Sequence, residues 1–362
     1  MRVTLREIAK VADLSVSTTS RALNGHPAIS LDTTSRIQNI AAKLHYKAVK
    51  SHKRMNRANP LFGRNIAVLT LGMHRTLSAL PAVASAIHGV EDALTQAGAS
   101  VQLAHVPDLQ QMPLGLPIGR LDGVMLVGAM QGTLVADSHA PILTELRKLP
   151  TVWILGRPAG CWGDAVVAND YVVGAMAAEH LAQKGHQLLA FINPKPDHLF
   201  FMRREDGIIS AARRLGIEVQ SYCESPPGGW SLPLKPPLAV ETVQKLVDRV
   251  LASIPQPTAI FAAADSIAAQ VYRALAVRGL QVGRDISVIS ANNDQALIAA
   301  LHPHLTTLDV HAHETGRQAV RHLGMRLMSS SKSVSSDVEL MVEPTLVEGE
   351  SVVDLRTKSS TT

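Results

Sequence analysis

Residues 4–47 read TLREIAKVADLSVSTTSRALNGHPAISLDTTSRIQNIAAKLHYK, and this stretch decides the architecture of the N-terminal end. Thr4 and Glu7 have the spacing of a capping box, in which a hydroxyl and a carboxylate satisfy free amides at a helix start. Leu5, Ile8, Ala9 and Ala12 then share one helical face. Asp13-Leu14 interrupts the pattern, Ser15 caps again, and Val16, Thr19, Ala22 and Leu23 resume it. Asn24-Gly25 stops this second helix, because both residues tolerate positive φ. Ser30 caps a third, with Ile37, Ile40, Ala41 and Leu44 facing inward. Two short helices joined by a tight turn and braced by a third make a helix-turn-helix. In that motif the second helix enters the major groove of DNA with its early residues at base edges. Here those residues are short and polar (Ser15, Ser17, Thr18, Thr19, Ser20), so the helix can approach closely. Arg21 follows, and a guanidinium can bond a guanine edge twice. A plain three-helix bundle that uses its serines only as caps is the other reading of the same residues.

Charge favours the DNA reading. Residues 1–60 carry eleven Lys or Arg against three acids, a net of +8, whereas the rest of the chain is at −3. A basic head on a near-neutral body suits a polyanion partner, with a solvated surface helix as the bland alternative. The 362-residue length predicts two or three domains, and 46% hydrophobic residues supply a core. With 3% aromatics, Ala, Val, Leu and Ile must fill that core. No run nears the length of a membrane span, and the opening MRVTLREIAK has no apolar signal core, so a cytoplasmic protein is expected. Cys161 and Cys223 are too few for a disulfide framework or a four-ligand zinc site and read as small packing residues.

The 4–47 stretch closely resembles, without a gap, the head of the lactose-repressor (LacI) family of bacterial transcription factors. The resemblance implies a homodimer on a near-palindromic DNA operator. By position it makes Val16, Ser17 and Arg21 base readers, and Thr4, Ser20, Asn24 and Thr33 phosphate contacts or orienting residues. Leu5 falls where the family packs near the groove, and Ser15 opens the reading helix. The linker, residues 48–60, matches a segment that orders into a hinge helix on DNA. Met55 stands where the family wedges a leucine into the minor groove. Ala48-Val49 replace the usual Pro-Asn, and His52 replaces an Ala that faces its twin, so the hinge geometry departs from the pattern. A solvated linker that never folds is the other reading of its basic residues.

From Asn65 the periodicity changes. NIAVLTLG, SVQLAHV, LDGVMLVG, PTVWILG, DAVVAND, LLAFIN, AIFAA and ISVISANN are short apolar strands. Helical stretches at 82–98, 171–184, 203–215, 240–253 and 266–279 lie between them. This alternation predicts an α/β body of two doubly wound parallel-sheet lobes, with a ligand cleft beyond the strands' carboxyl ends. The resemblance continues through NDYVVGAMAAEHLAQKGHQLLAFIN, RREDGIISAARRLGI, GGWS and GRDISVISANNDQ…LHPHLTTLDV. It implies the fold of periplasmic sugar-binding proteins and a small-molecule effector, a sugar or similar, in the cleft. It places one lobe at 61–160 plus 308–325, the other at 161–307 plus 326–349, and a flexible tail at 350–362. Arg204, Trp230, Asp265, Asn292 and Asn293 become the expected effector contacts. Asn292 stands where the family has Asp, and Ala264 removes an amide from the family's Asn-Asp pair.

The fifteen histidines are scattered without an HExxH, and neither a GxSxG nucleophile nor a phosphate loop occurs. No metal, no cofactor and no catalytic residue is therefore expected. The whole reads as a ligand-responsive repressor without enzymatic activity. A cytosolic sugar-binding or sugar-modifying protein, or a constitutive DNA binder whose pocket has decayed, are the alternatives.

Overall fold

The computed structural model describes residues 4–23, 29–44, 59–113, 115–225, 228–235, 240–328 and 336–358. The chain divides into two compact units, residues 1–58 and 59–362.

The first unit holds α1 (Leu5–Ala12), α2 (Val16–Leu23) and α3 (Leu31–Lys43). Each start is capped as its sequence requires. Thr4 N donates to Glu7 Oε2 at 2.6 Å, Thr18 N to Ser15 Oγ at 3.0 Å, and Thr33 N to Ser30 Oγ at 3.2 Å. Bonds from Thr4 also hold the Glu7 carboxyl below its ordinary pKa. α1 ends at Asp13 in the left-handed region (φ 52°), and Arg36 Nη2 from α3 satisfies the Ala12 carbonyl at 2.7 Å. Ile8, Ala12, Ala22, Ile37 and Ala41 form the core, ringed by Leu14, Leu23, Ile29, Ile40 and Leu44. A core this small supplies roughly 3–5 kcal/mol. Caps at about 1 kcal/mol each are then a large share of what keeps the head folded.

The second unit carries two six-stranded sheets. The first contains β1 (Asn65–Leu71), β2 (Ser100–Val106), β3 (Gly123–Gly128), β4 (Thr151–Ile154), β5 (Asp164–Ala168) and β11 (Glu339–Val342), in the order β11-β5-β4-β3-β1-β2. The second contains β6 (Leu188–Asn193), β7 (Glu218–Cys223), β8 (Ala259–Ala262), β9 (Ser287–Ala291), β10 (Thr306–Asp309) and β12 (Thr345–Val347), in the order β12-β10-β9-β8-β6-β7. Every pairing is parallel except β10 with β12. β3, β4, β5, β8 and β9 are buried along their whole length, as central strands covered on both faces must be.

The two lobes repeat one packing device. In lobe one, helices Pro81–Gln96 and Ala312–Met328 cross where Gly89 meets the His313 carbonyl and Gly316 meets that of Ala86. In lobe two, helices Asp170–Gln183 and Leu199–Leu215 cross where Gly174 meets the Arg204 carbonyl and Gly207 meets that of Tyr171. A Cβ at any of these four positions would stand about 2 Å from a carbonyl oxygen, so the helices approach only because it is missing.

The lobe boundaries differ from the sequence expectation. β5 lies in lobe one, not after a crossing at 161, and β10 completes lobe two through Asp309. Residues 326–328 and 336–342, expected in lobe two, belong to lobe one, and the last crossing falls between β11 and β12. The buried Asp164 carboxylate gives the reason. It accepts from His322 Nε2 and Arg326 Nε, both at 2.7 Å, and from Val338 N at 2.8 Å, drawing two late segments onto β5. The expected flexible tail is corrected as well, because residues 350–358 pack on lobe two. Ser351 is fully buried, accepts from Thr306 N at 2.8 Å and donates to the Val288 carbonyl at 2.6 Å, and Leu355 N bonds the Lys184 carbonyl at 2.8 Å.

Candidate functional site

The head presents the start of α2 outward. Val16 is 42% exposed and Ser17 is exposed, while Thr19 and Ala22 are fully buried on the opposite face. An apolar valine left in water at a capped helix start has no role in the head's own packing. Ser15 is held by its cap, Thr19 Oγ1 donates to the Ser15 carbonyl at 3.0 Å, and Leu5 is half-buried on α1. Ser20 and Arg21 lie in the last turns of α2, and their side chains fall outside the described residues, as do Asn24, the linker segment 45–58 and Met55 within it. Thr4 and Thr33 are occupied in the caps of α1 and α3.

In the body, the lobes meet along the carboxyl ends of their strands, and backbone bonds close the meeting. His74 N donates to the Leu234 carbonyl and Leu234 N to that of Gly72, both at 2.8 Å. Leu199 N bonds the Met130 carbonyl at 3.0 Å and Gly132 N that of Asp197 at 3.1 Å. Next to the hinge this seam opens into a cavity of about 440 Å³. Pro81, Ala82 and Ser85 line it from lobe one, Asn292, Asn293 and Asp294 from lobe two, and Asp309 and His311 from the crossing strand.

Of the five expected effector contacts, the cavity collects Asn292 and Asn293. Both stand in a turn with positive φ (121° and 59°), a conformation that asparagine tolerates better than most residues. Arg204 lies behind them and is 2% exposed. Its Nε bonds Asp170 Oδ1 at 2.8 Å, Nη1 the Ala263 carbonyl at 2.6 Å, and Nη2 the Asn292 Oδ1 at 3.0 Å. Arg204 therefore reaches the cavity through Asn292. Asp265 is fully buried and accepts from Ser290 Oγ, from Thr307 Oγ1 at 2.8 Å and from Asp294 N at 2.7 Å. Its oxygens are committed inside lobe two, so it shapes the 292–294 turn and does not line the cavity. Trp230 is apart from that turn, its Nε1 donating to Asp197 Oδ2 at 3.1 Å.

The sequence reading missed several groups. Asp170 is the buried counter-ion of Arg204, held 34 residues away in the chain. Burial, and Asp265 beside it, push the Asp294 carboxyl up to about 6. Lys195 and His198 follow β6 directly, and Asn193 ends it. A signal was available, since ligands in such sheets gather at strand carboxyl ends, and Asn193 closes the apolar run LLAFIN. Among the described residues no cluster of His, Cys, Asp or Glu is arranged to hold a metal, and no helix is long and apolar enough to cross a membrane. Cys161 and Cys223 are free and half-buried, and burial raises each thiol to about 11.

Comparison with known proteins adds to this geometry. Residues 4–48 match the family described as bacterial regulatory proteins, lacI family, and residues 178–352 match the periplasmic binding protein-like domain. The ribose operon repressor of Escherichia coli strain K12 is 27% identical over 331 residues, 88% of this chain and 91% of its own length. An HTH-type transcriptional repressor PurR from Erwinia tasmaniensis is 26% identical over 360 residues, 97% of each chain. The crystal structure of the lac repressor dimer bound to operator and the anti-inducer ONPF superposes with a TM-score of 0.63 at 19% identity, covering 98% of this chain and all of the other.

Proposed function

We propose that this chain, a member of the lacI family of bacterial regulatory proteins, is a repressor whose DNA grip is set by a small polar effector, a sugar or a molecule of similar size, between its lobes. It binds operator DNA as a homodimer, the start of α2 reading base edges in each half-site. The exposed Val16 and Ser17 on a capped helix inside a +8 head carry this reading. We assign Arg21 to the same task and Met55 to the minor-groove wedge. The operator reading places the protein in the cytoplasm, with DNA.

The interlobe cavity is the effector site of this reading, with Asn292 and Asn293 as direct contacts and Arg204 holding Asn292 in place. A binding role is favoured over a catalytic one because the two buried carboxylates behind the cavity are occupied. Asp170 is paired with Arg204, and Asp265 already accepts three hydrogen bonds.

Selection of preferred sites from random duplex DNA, followed by titration of the winning sequence, tests the reading. Arg21→Ala is expected to lose about 1–3 kcal/mol of specific affinity and to relax one position of each half-site. Affinity is expected to fall steeply as salt rises, since phosphate contacts release counterions. An unchanged site preference in Arg21→Ala would remove α2 from the groove.

A further inference from the structure

We propose that the effector carries an anionic group, a phosphate or a carboxylate, received by Lys195 beside His198 where the two lobes close. This rests on the reading of the seam as the effector site. Lys195 follows β6, and its backbone N–H is fixed by Asn193 Oδ1 at 2.8 Å. The side chain is half-buried, and among the described residues its ammonium makes no hydrogen bond or ion pair. Burial pushes its pKa down. A half-buried amine without a counter-ion is partly desolvated, and a negative group on a ligand would complete it.

The surroundings are incomplete in the same way. His198 is packed between Phe200 and Phe201, with ring centroids at 4.9 and 4.5 Å, and its buried Nδ1 has no partner. Gln131 Oε1 and Asn193 Nδ2 are also buried and unpartnered. Gln131 and His198 are paired through their backbones across the seam, so these groups stand on two facing loops. Two carboxylates near them are engaged elsewhere. Asp170 is taken by Arg204, and Asp197 accepts from Trp230. The cavity elsewhere along the seam, lined by Asn292, Asn293 and Asp309, offers amides and a carboxylate suited to hydroxyl groups. Arg204 is buried behind Asn292. It bonds Asn292, and its charge acts on His198 in the same direction as that of Lys195. A ligand with hydroxyls at one end and a negative group at the other, such as a sugar phosphate or a sugar acid, matches this polarity.

The full-length protein is tested by thermal shift and calorimetry with a pentose phosphate, a hexose phosphate, the matching sugar acids and the parent neutral sugars, at fixed ionic strength. The expected result is binding of at least one phosphorylated or acidic sugar, at least about tenfold tighter than its neutral parent, with the stronger of the two arms naming the group. Lys195→Met is expected to abolish that preference and, without ligand, to unfold no earlier than the parent. A neutral sugar that binds as well as its charged form, in both the parent and Lys195→Met, would overturn the anion assignment and leave the cleft reading in place. Silence of the whole panel would overturn both.

Discussion

The two lobes have the same frame and different crests. Each has six strands and a pair of helices crossing on two glycines. In lobe one, β1, β3 and β4 end in Leu71-Gly72-Met73, Gly128-Ala129-Met130 and Leu155-Gly156, an apolar rim. Lobe two's end in Asn193-Pro194-Lys195, Ala263-Ala264-Asp265 and Asn292-Asn293-Asp294, with Arg204 threaded among them. In the proposed site, polar groups come mainly from lobe two, with Ser85 and Gln131 from lobe one. On the proposed reading, lobe two supplies most of the charges and amides and the apolar ends of β1, β3 and β4 supply a cover, which would strengthen polar contacts beneath it.

The sharpest way to break this comparison is Arg204→Ala. It strands the Asp170 carboxylate in a dry interior and is expected to cost about 3–5 kcal/mol in urea unfolding. An unchanged midpoint would show that lobe two's crest is not a paired network. The glycine crossings sharpen it next. Gly89→Ala and Gly174→Ala each force a Cβ onto a carbonyl and are expected to cost roughly 1–3 kcal/mol or more. Their functional effects should diverge. The carbonyl struck in lobe two is that of Arg204, so effector binding is expected to weaken well beyond the matched Gly89→Ala variant. Equal ligand affinities in the two variants would uncouple the crossing from the site.

The gentlest probe is Asp294. Its folded pKa of about 6 lies above the ordinary 3.8. A raised carboxyl pKa means that the folded state binds the proton more tightly. Its stabilising contribution is therefore full below 3.8 and is lost as pH rises through 6. Asp294→Asn is expected to flatten the melting temperature between pH 4 and 7 relative to the parent. A parent profile with the same slope as the variant would assign the titration to another group.

The head was legible in the sequence because its determinants are local. Caps lie three residues from what they cap, and turn residues stand where the chain turns. The alternation of strand and helix was equally plain. The lobe crossings were not, since β5, β10 and β11 are short apolar runs that fit either sheet. Their allegiance is set by distant groups, such as the bond between Asp164 and His322, 158 residues apart. In the site, resemblance led to Arg204 and Asn292, which share a hydrogen bond, whereas Asp265 is committed inside lobe two and Trp230 bonds Asp197 at the seam. Lys195 and His198 carry no motif, and only the folded seam shows that their polar atoms lack partners.

The order in which lobe one is assembled has a consequence for synthesis. Helix Ala312–Met328 and the edge strand Glu339–Val342 both come after the whole of β6–β10 in the chain. As the polypeptide leaves the ribosome, lobe one stands with an uncovered face and an unpaired edge until nearly the last residues emerge. An arrest or premature stop late in the message thus releases a molecule with a nearly finished lobe two and a raw, association-prone lobe one.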